Sequence, residues 1–267
     1  MYFKDKVAVV TGGSDGIGKA LVQLLLSNGA KVATCGRNYD KLYQLKAFHP
    51  NDDLFIYAAD VSKEADCKKF IDEVVKQFGK IDVLINNAGI SMRAEVADTD
   101  LETIKRVMDI NFWGTVYCSK FVLPEILRSK GTIVGVSSVA GFRGLPGRSG
   151  YSASKAAVNS FLEVLRTELL DSGANVMWVC PGFTTSNIRN AALNKDAKPQ
   201  GETPMDEGSM MSAEECAQHI LHAIEKRKRT LVLTFTGKRA VFMNRFFPSL
   251  ADKMVRKFFY KDGKLVK

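Results

Sequence analysis

Short, uninterrupted apolar runs recur along this 267-residue chain, and nearly every one is followed by a stretch of helical spacing. A strand that reads as a continuous hydrophobic run is buried on both faces, as in a parallel sheet covered by helices. The runs fall at residues 6–11, 31–35, 54–59, 82–86, 132–136 and 175–180, with a seventh candidate at 230–234. Helical patterns occupy residues 40–48, 63–78, 101–130, 151–170 and 212–226. A further one runs through Ala20, Leu21, Leu24 and Leu25 and stops near Asn28-Gly29. Repeated βα units predict an α/β fold with a doubly wound parallel sheet and helices on both faces. The length fits one domain, residues 1–267, with a full core.

Two segments fall outside this rhythm. Residues 186–211 are polar and rich in Asn, Gly, Pro and Met, and a loop of that length suggests a lid over a substrate site. Residues 238–267 form a basic, amphipathic extension. Phe242, Phe246, Leu250, Met254 and Phe258 recur in it every four residues among Lys and Arg. Pro248 splits the pattern into two short helices, with Ser249 a candidate cap. The stripe fits packing against the domain or a partner subunit better than peripheral membrane contact, since stripes usually mean burial.

The charge is as uneven as the pattern. The net charge is +9, and residues 227–267 hold 12 Lys/Arg against 2 Asp/Glu, leaving 26 basic against 27 acidic residues in the rest. A neutral body with one basic end argues against nucleic acid as a partner. No apolar run approaches the roughly 18–20 residues that span a bilayer. The first apolar run begins at Val7, too early for a leader, so a cytoplasmic protein is expected, with the membrane surface left open to the tail. The five cysteines, Cys35, Cys67, Cys118, Cys180 and Cys216, are scattered and odd in number, which argues against a disulfide framework. Cys216, His219 and His222 share a helical repeat but lack a fourth ligand, and no metal site is expected.

The first turn carries chemistry. Thr11-Gly12-Gly13-Ser14-Asp15-Gly16-Ile17-Gly18 lies between a strand and a helix. Glycine lets backbone approach a phosphate without a Cβ clash, and the helix that follows offers free N–H groups and the positive end of its dipole. This is a Rossmann-type arrangement, although a glycine-rich turn without a ligand has the same appearance. The second strand ends in Cys35-Gly36-Arg37-Asn38. A site for NAD places a carboxylate there, whereas an Arg suits the 2′-phosphate of NADP. Arg37 therefore points to NADP, unless it is a solvated surface residue.

Tyr151-Ser-Ala-Ser-Lys155 places a phenol and an ammonium one helical turn apart. The ammonium stabilises phenolate and should lower the tyrosine pKa, making Tyr151 a general acid for a carbonyl oxygen. Ser137 and Ser138 end the preceding strand, where a hydroxyl could bond the same oxygen.

Taken together, these motifs resemble the short-chain dehydrogenase/reductase family over roughly residues 5–234. The resemblance rests on Thr11 to Gly18, Asp60-Val61, Asn86 to Gly89, Asn111, Ser138, Tyr151, Lys155 and Pro181-Gly182. Ser186 stands where the family usually has Thr, keeping the hydroxyl. The resemblance implies Asn111, Ser138, Tyr151 and Lys155 as the catalytic set. Tyr151 would donate the proton, Ser138 would polarise the carbonyl oxygen and Lys155 would tune the tyrosine and hold the nicotinamide ribose. Asn111 would hold a water linking Lys155 to solvent. For NADP the resemblance implies Gly12, Ser14, Gly16, Ile17, Gly18, Arg37, Asp60, Val61, Asn87, Tyr151, Lys155 and Thr184.

Within the family, the flanking residues look closest to members acting on steroids, retinoids and long-chain lipids. These include 11β-hydroxysteroid dehydrogenase-like enzymes and 3-ketodihydrosphingosine reductases. Met205, Met210 and Met211 in the lid and the apolar tail stripe also suggest a hydrophobic, lipid-like carbonyl or alcohol substrate. A 3-oxoacyl-carrier-protein reductase-like enzyme and a non-catalytic dinucleotide-binding protein are the alternatives. The resemblance also implies a homodimer or homotetramer paired through the two long helices, 101–130 and 151–170, whose Phe112, Trp113, Phe121, Phe161, Leu162 and Leu165 exceed what one face toward the sheet needs.

Overall fold

The computed structural model describes residues 1–201, 208 and 210–266. Seven strands build one parallel sheet: β1 (Val7–Thr11), β2 (Lys31–Gly36), β3 (Leu54–Ala58), β4 (Val83–Asn86), β5 (Thr132–Val136), β6 (Asn175–Cys180) and β7 (Thr230–Val232). Their order is β3-β2-β1-β4-β5-β6-β7. The chain winds outward from β1 to β3, then crosses back and continues from β4 on the other side of β1. That reversal leaves a crevice at the carboxyl ends of β1 and β4, where doubly wound sheets bind ligands.

Alternate strand residues feed two cores. Ala8, Val10, Val32 and Ile85 face α1 (Gly16–Ser27), α2 (Tyr39–Ala47) and, further along the sheet, α7 (Ala213–Glu225). Val9, Ala33, Leu84 and Ile133 face α3 (Glu64–Phe78), α5 (Gly114–Ser129) and α6 (Ser149–Glu168). The period of two sends successive side chains to opposite faces, and each face is sealed by helices.

The pattern at 101–130 is one helical rod of three parts. α4 (Leu101–Met108) passes through a π-helical turn, Asp109–Trp113, into α5. A π turn shifts the side-chain register and is common at functional sites. Here it carries Asn111.

The tail folds as α8 (Phe235–Phe246) and α9 (Pro248–Phe259), followed by a small antiparallel ribbon of β8 (Tyr260–Lys261) and β9 (Lys264–Leu265). The break falls at Pro248 as expected, but Ser249 does not cap the second helix. Pro248 itself occupies its first turn, where a missing N–H costs nothing. The extension starts earlier than residue 238. Thr234 caps α8, its Oγ1 accepting from Gly237 N at 3.0 Å.

The stripe packs on the domain at its far end, where Phe258 stacks on Phe183, but not at its start. Phe242 is 54% exposed, Phe246 57% and Leu250 49%. Arg143 ties the two helices down instead, donating to Asn244 Oδ1 at 3.0 Å and to Asp252 Oδ1 at 2.5 Å. Among the described residues no helix is long and apolar enough to cross a membrane.

Candidate active site

The crevice opens into a cleft of about 1160 Å³. It is lined by every site residue expected from the sequence except Asn111, which lies just behind it. The cofactor candidates come from the strand ends. Thr11 Oγ1 accepts from Asn87 N and Ala88 N, both at 3.0 Å, clamping the end of β1 to the end of β4. Asn87 Nδ2 donates to the carbonyls of Thr11 and Gly12 at 3.0 and 3.2 Å. A β-carbon on Gly18 would lie 2.2 Å from the Gly12 oxygen and 2.4 Å from Asn87 Nδ2, so only glycine lets α1 start this close to the turn. Gly16 and Ile17 open α1, capped by Asp15, whose Oδ1 accepts from Gly16 N at 2.8 Å.

At the far end of this half, Arg37 is exposed after β2, with Ser14 and Lys41 on the same wall. The acid nearest the turn, Asp15, is paired with Lys41 at 3.3 Å. Asp60 is held by its own loop, its Oδ1 accepting from Ser62 Oγ at 2.8 Å and Ser62 N at 3.1 Å, with Val61 buried beside it. Thr184, on the loop after β6, is also buried, with its backbone bridged to Met211.

The other half of the cleft gathers the catalytic candidates. Ser138 follows β5 and caps a 3-10 turn, its Oγ accepting from Ala140 N at 3.1 Å. Tyr151 and Lys155 project from the first turns of α6. Burial pushes the Tyr151 phenol above its usual pKa, while the Ser138 hydroxyl, then Arg148 and Arg189, pull it back down. The expected lowering by Lys155 is not seen. Its ammonium, 5.7 Å from the tyrosine ring centre, donates instead to the Val136 carbonyl at 2.8 Å. Burial drops the Lys155 pKa to about 8.

Asn111 is fully engaged. Its Oδ1 accepts from Ile90 N at 2.8 Å, and its Nδ2 donates to Ile90 O and to Ser154 Oγ, both at 2.9 Å. It thereby fixes the segment after β4 against α6 between Tyr151 and Lys155. A β-carbon on Gly89 would sit 3.1 Å from Asn111 Oδ1 and 3.4 Å from Lys155 Nζ, so the glycine leaves a gap between the two.

Several lining residues were not singled out from sequence: Arg148 and Arg189, which flank Tyr151, and Met243, Val255 and Phe259, which join Met254 and Phe258 of the stripe in bringing the tail into the wall. Phe258 stacks on Phe183 at 6.2 Å between ring centres. The helical spacing of the tail and the place of Arg148, three residues before Tyr151, were the available signals.

Among its described residues, only the start of the loop expected as a lid reaches the cleft, through Ser186, Asn187, Ile188, Arg189 and Ala191. Leu193 is pinned at its back, donating from N to Ser91 O at 2.9 Å. Met211 packs into the core under α1 and α7 rather than into the cleft, Met210 does not line the cleft either, and Met205 lies outside the described residues.

The Cys216, His219 and His222 repeat does not converge. Cys216 is buried in the core, whereas His219 and His222 face outward beside Glu215 and Glu225. All five cysteines are free and buried.

A family model described as short chain dehydrogenase matches residues 6–197. The dehydrogenase/reductase SDR family member 7B of Mus musculus is 34% identical over 257 residues, covering 93% of this chain and 80% of its own. The 11-beta-hydroxysteroid dehydrogenase-like 4A of Arabidopsis thaliana is 35% identical over 243 residues, covering 89% and 79%. A short chain dehydrogenase/reductase from Burkholderia phymatum, solved in complex with NAD, has the same fold. It superposes with a TM-score of 0.83 over 94% of this chain and 96% of that one, at 24% identity.

Proposed function

The chain belongs to the short-chain dehydrogenase/reductase family, and from that premise we propose an NADP(H)-dependent oxidoreductase acting on a carbonyl or secondary alcohol of hydrophobic, lipid-like character. The observation that carries the reading is the meeting of Ser138, Tyr151 and Lys155 in one cleft with the glycine turn and Arg37. The dinucleotide fits what is there. The Gly12–Gly18 approach leaves no room for a side chain between those two glycines, and the N-terminus of α1 lines the cleft at Gly16, Ile17 and Gly18. Arg37 and Ser14 would hold a 2′-phosphate, with Lys41, which pairs the nearby Asp15, beside them. Bound NADPH supplies the hydride.

The chain's residues do the rest. Ser138 would orient and polarise the carbonyl oxygen. Tyr151, kept protonated by its burial, would give that oxygen its proton from Oη. The phenolate left behind would be stabilised by the Ser138 hydroxyl and by the cations around it, with Lys155 one turn away. Asn111 would hold α6 in register and keep the Gly89 gap open for a proton path from Lys155.

For the substrate, the apolar wall of Met243, Met254, Val255, Phe258 and Phe259 supports a hydrophobic partner. Residues 186–191 serve as the near edge of a lid. The exposed face of the tail meets a membrane surface or a second subunit, and the protein works as a homo-oligomer in the cytoplasm or at a membrane surface. Purified protein mixed with NADPH and a panel of aldehydes and ketones tests the reading through loss of the reduced-nicotinamide absorbance. Binding of NADPH without turnover of any of them would leave a non-catalytic dinucleotide-binding protein.

A further inference from the structure

Two guanidinium groups line the catalytic end of the cleft and a third lies near them, each from a separate segment. Arg93 comes from the connection after β4, Arg148 from the residue just before α6 and Arg189 from the connection after β6. Arg148 and Arg189 line the cleft, and Arg93 lies close enough to act on Arg148 electrostatically.

Arg148 makes no side-chain hydrogen bond or ion pair with any described residue, and its Nε is buried without a partner. The Nε of Arg93 is orphaned in the same way. Arg189 is seated through Nη1 on the Thr184 carbonyl at 3.0 Å. Burial is the main cause that lowers the Arg148 pKa, and the neighbouring charges of Arg189 and Arg93 lower it further.

Burying a cation without a counter-charge is costly, and chains normally avoid it by pairing. This chain does so elsewhere in the same cleft, where Arg143 is matched by Asp252 and Asn244. Arg148, beside Tyr151, has no such match among the described residues. Among the described lining residues the carboxylates are Asp15, Asp40 and Asp60, and all three stand at the cofactor end. A half-buried guanidinium that has no partner among the described residues and opens to a cleft is a site for an oxyanion.

We infer that Arg148, backed by Arg93 and Arg189, forms an anion subsite beside Tyr151 that selects carbonyl substrates bearing a carboxylate or phosphate close to the reacting carbon. This rests on the reductase reading above and narrows it. With the apolar wall on the other side, it specifies an amphiphilic substrate, charged near the carbonyl and apolar beyond it.

The test compares three ketones of one chain length on the full-length protein with NADPH: octan-2-one, 3-oxooctanoate and the phosphate monoester of 1-hydroxyoctan-2-one. The wild type should favour an anionic ketone over octan-2-one by roughly tenfold to a hundredfold in kcat/KM, the worth of one charge-assisted pair, expressed mainly in KM. Whichever anion ranks first identifies the source of the charge. Arg148→Gln should bring the anionic-to-neutral ratio toward unity, Arg148→Lys should restore part of it, and Arg93→Gln should lower it less. NADPH affinity, measured alongside, shows that each variant is folded.

A wild type that reduces octan-2-one as well as the anionic ketones overturns the inference. So does an Arg148→Gln loss that is equal for all three ketones and accompanied by a shifted pH profile, since Arg148 would then act only on Tyr151. If no ketone is turned over, the reductase reading fails separately, and octyl phosphate decides the subsite. Saturable binding to the NADPH-loaded wild type that is lost in Arg148→Gln supports it, and absence of binding overturns it.

Discussion

Lys155 donates its ammonium proton to the carbonyl of Val136 at 2.8 Å, joining α6 to the end of the strand that delivers Ser138. The group is 4% exposed, and burial lowers its pKa from 10.5 to about 8. The fold therefore carries a cost for holding this charge. Below pH 8 the amine is charged in both folded and unfolded chains, and the cost is complete, about 3 kcal/mol for a shift of this size. As pH rises from 8 to 10.5 the folded protein sheds the proton first and the cost fades. Lys155→Met should therefore stabilise the protein near neutrality by about 2 kcal/mol, after about 1 kcal/mol for the lost hydrogen bond. Denaturant melts at neutral and alkaline pH check both the gain and its decline above pH 8, while activity should vanish.

The same pKa sets a limit on reduction. At limiting NADPH, kcat/KM reports the free enzyme's groups. It should fall as pH rises through about 8, where Lys155 loses its charge. A profile flat to pH 10 would take Lys155 out of this role.

Tyr151→Phe keeps the ring and removes only the proton donor. Turnover should drop by roughly 10²–10⁴-fold with NADPH affinity preserved. Quenching of tryptophan fluorescence by NADPH, compared with steady-state rates, separates the two. Retention of a tenth of the activity would remove Tyr151 from the chemistry.

What could be read from sequence was what is local. The turn from Thr11 to Gly18 and the step from Tyr151 to Lys155 are set by neighbours along the chain, and both stand where the spacing placed them. The π turn that presents Asn111 was invisible, because a helical period of 3.6 carries no mark of one extra residue. Tyr151 to Lys155 read as helix, but nothing local showed that Arg148, three residues earlier, would be left without a partner among the described residues. That depends on Arg189 and Arg93 arriving from 41 residues ahead and 55 behind. Met211 was misplaced for the same reason. A methionine in a long loop has no periodicity to say which side it faces, and its backbone pairing with Thr184 and Phe183 turned it to the core.

The proposal of NADP(H) rests on Arg37. Arg37→Ala should weaken NADPH binding by about 2–3 kcal/mol, the loss of one charge-assisted pair. NADH, which lacks the 2′-phosphate, should bind almost as before. Titrating both cofactors into both proteins checks this, and equal losses or a wild-type preference for NADH would contradict it.

The long helices α4–α5 and α6 leave a half-open apolar face. Trp113 is 43% exposed and Val164 54%, with Phe112, Tyr117 and Phe161 partly covered around them. Leu162 and Leu165, expected to add to this face, turn to the sheet and are buried. Pairing of two chains through this face predicts that Trp113→Glu with Val164→Glu gives a smaller species by light scattering, while the wild type at micromolar concentration is a dimer or larger.

The tail offers a different surface. Phe242, Phe246, Phe247 and Leu250 are each about half exposed, and Lys238, Arg239, Arg245, Lys253, Arg256 and Lys257 lie on the same two helices. The two roles of these helices divide by face. Met243, Met254 and Val255 wall the cleft, while the aromatic row lies outside it. A helix pair with an aromatic row and basic neighbours binds the interface of an anionic bilayer, each base adding about 1 kcal/mol near a charged surface. The protein should therefore sediment with vesicles containing phosphatidylserine, less with phosphatidylcholine alone, and less as salt is raised. Phe242→Glu with Phe246→Glu should release it without changing turnover of a water-soluble ketone, since neither ring touches the cleft. If the wild type ignores both vesicles and the double variant instead shrinks in light scattering, the row belongs to a subunit contact and the bilayer reading is wrong.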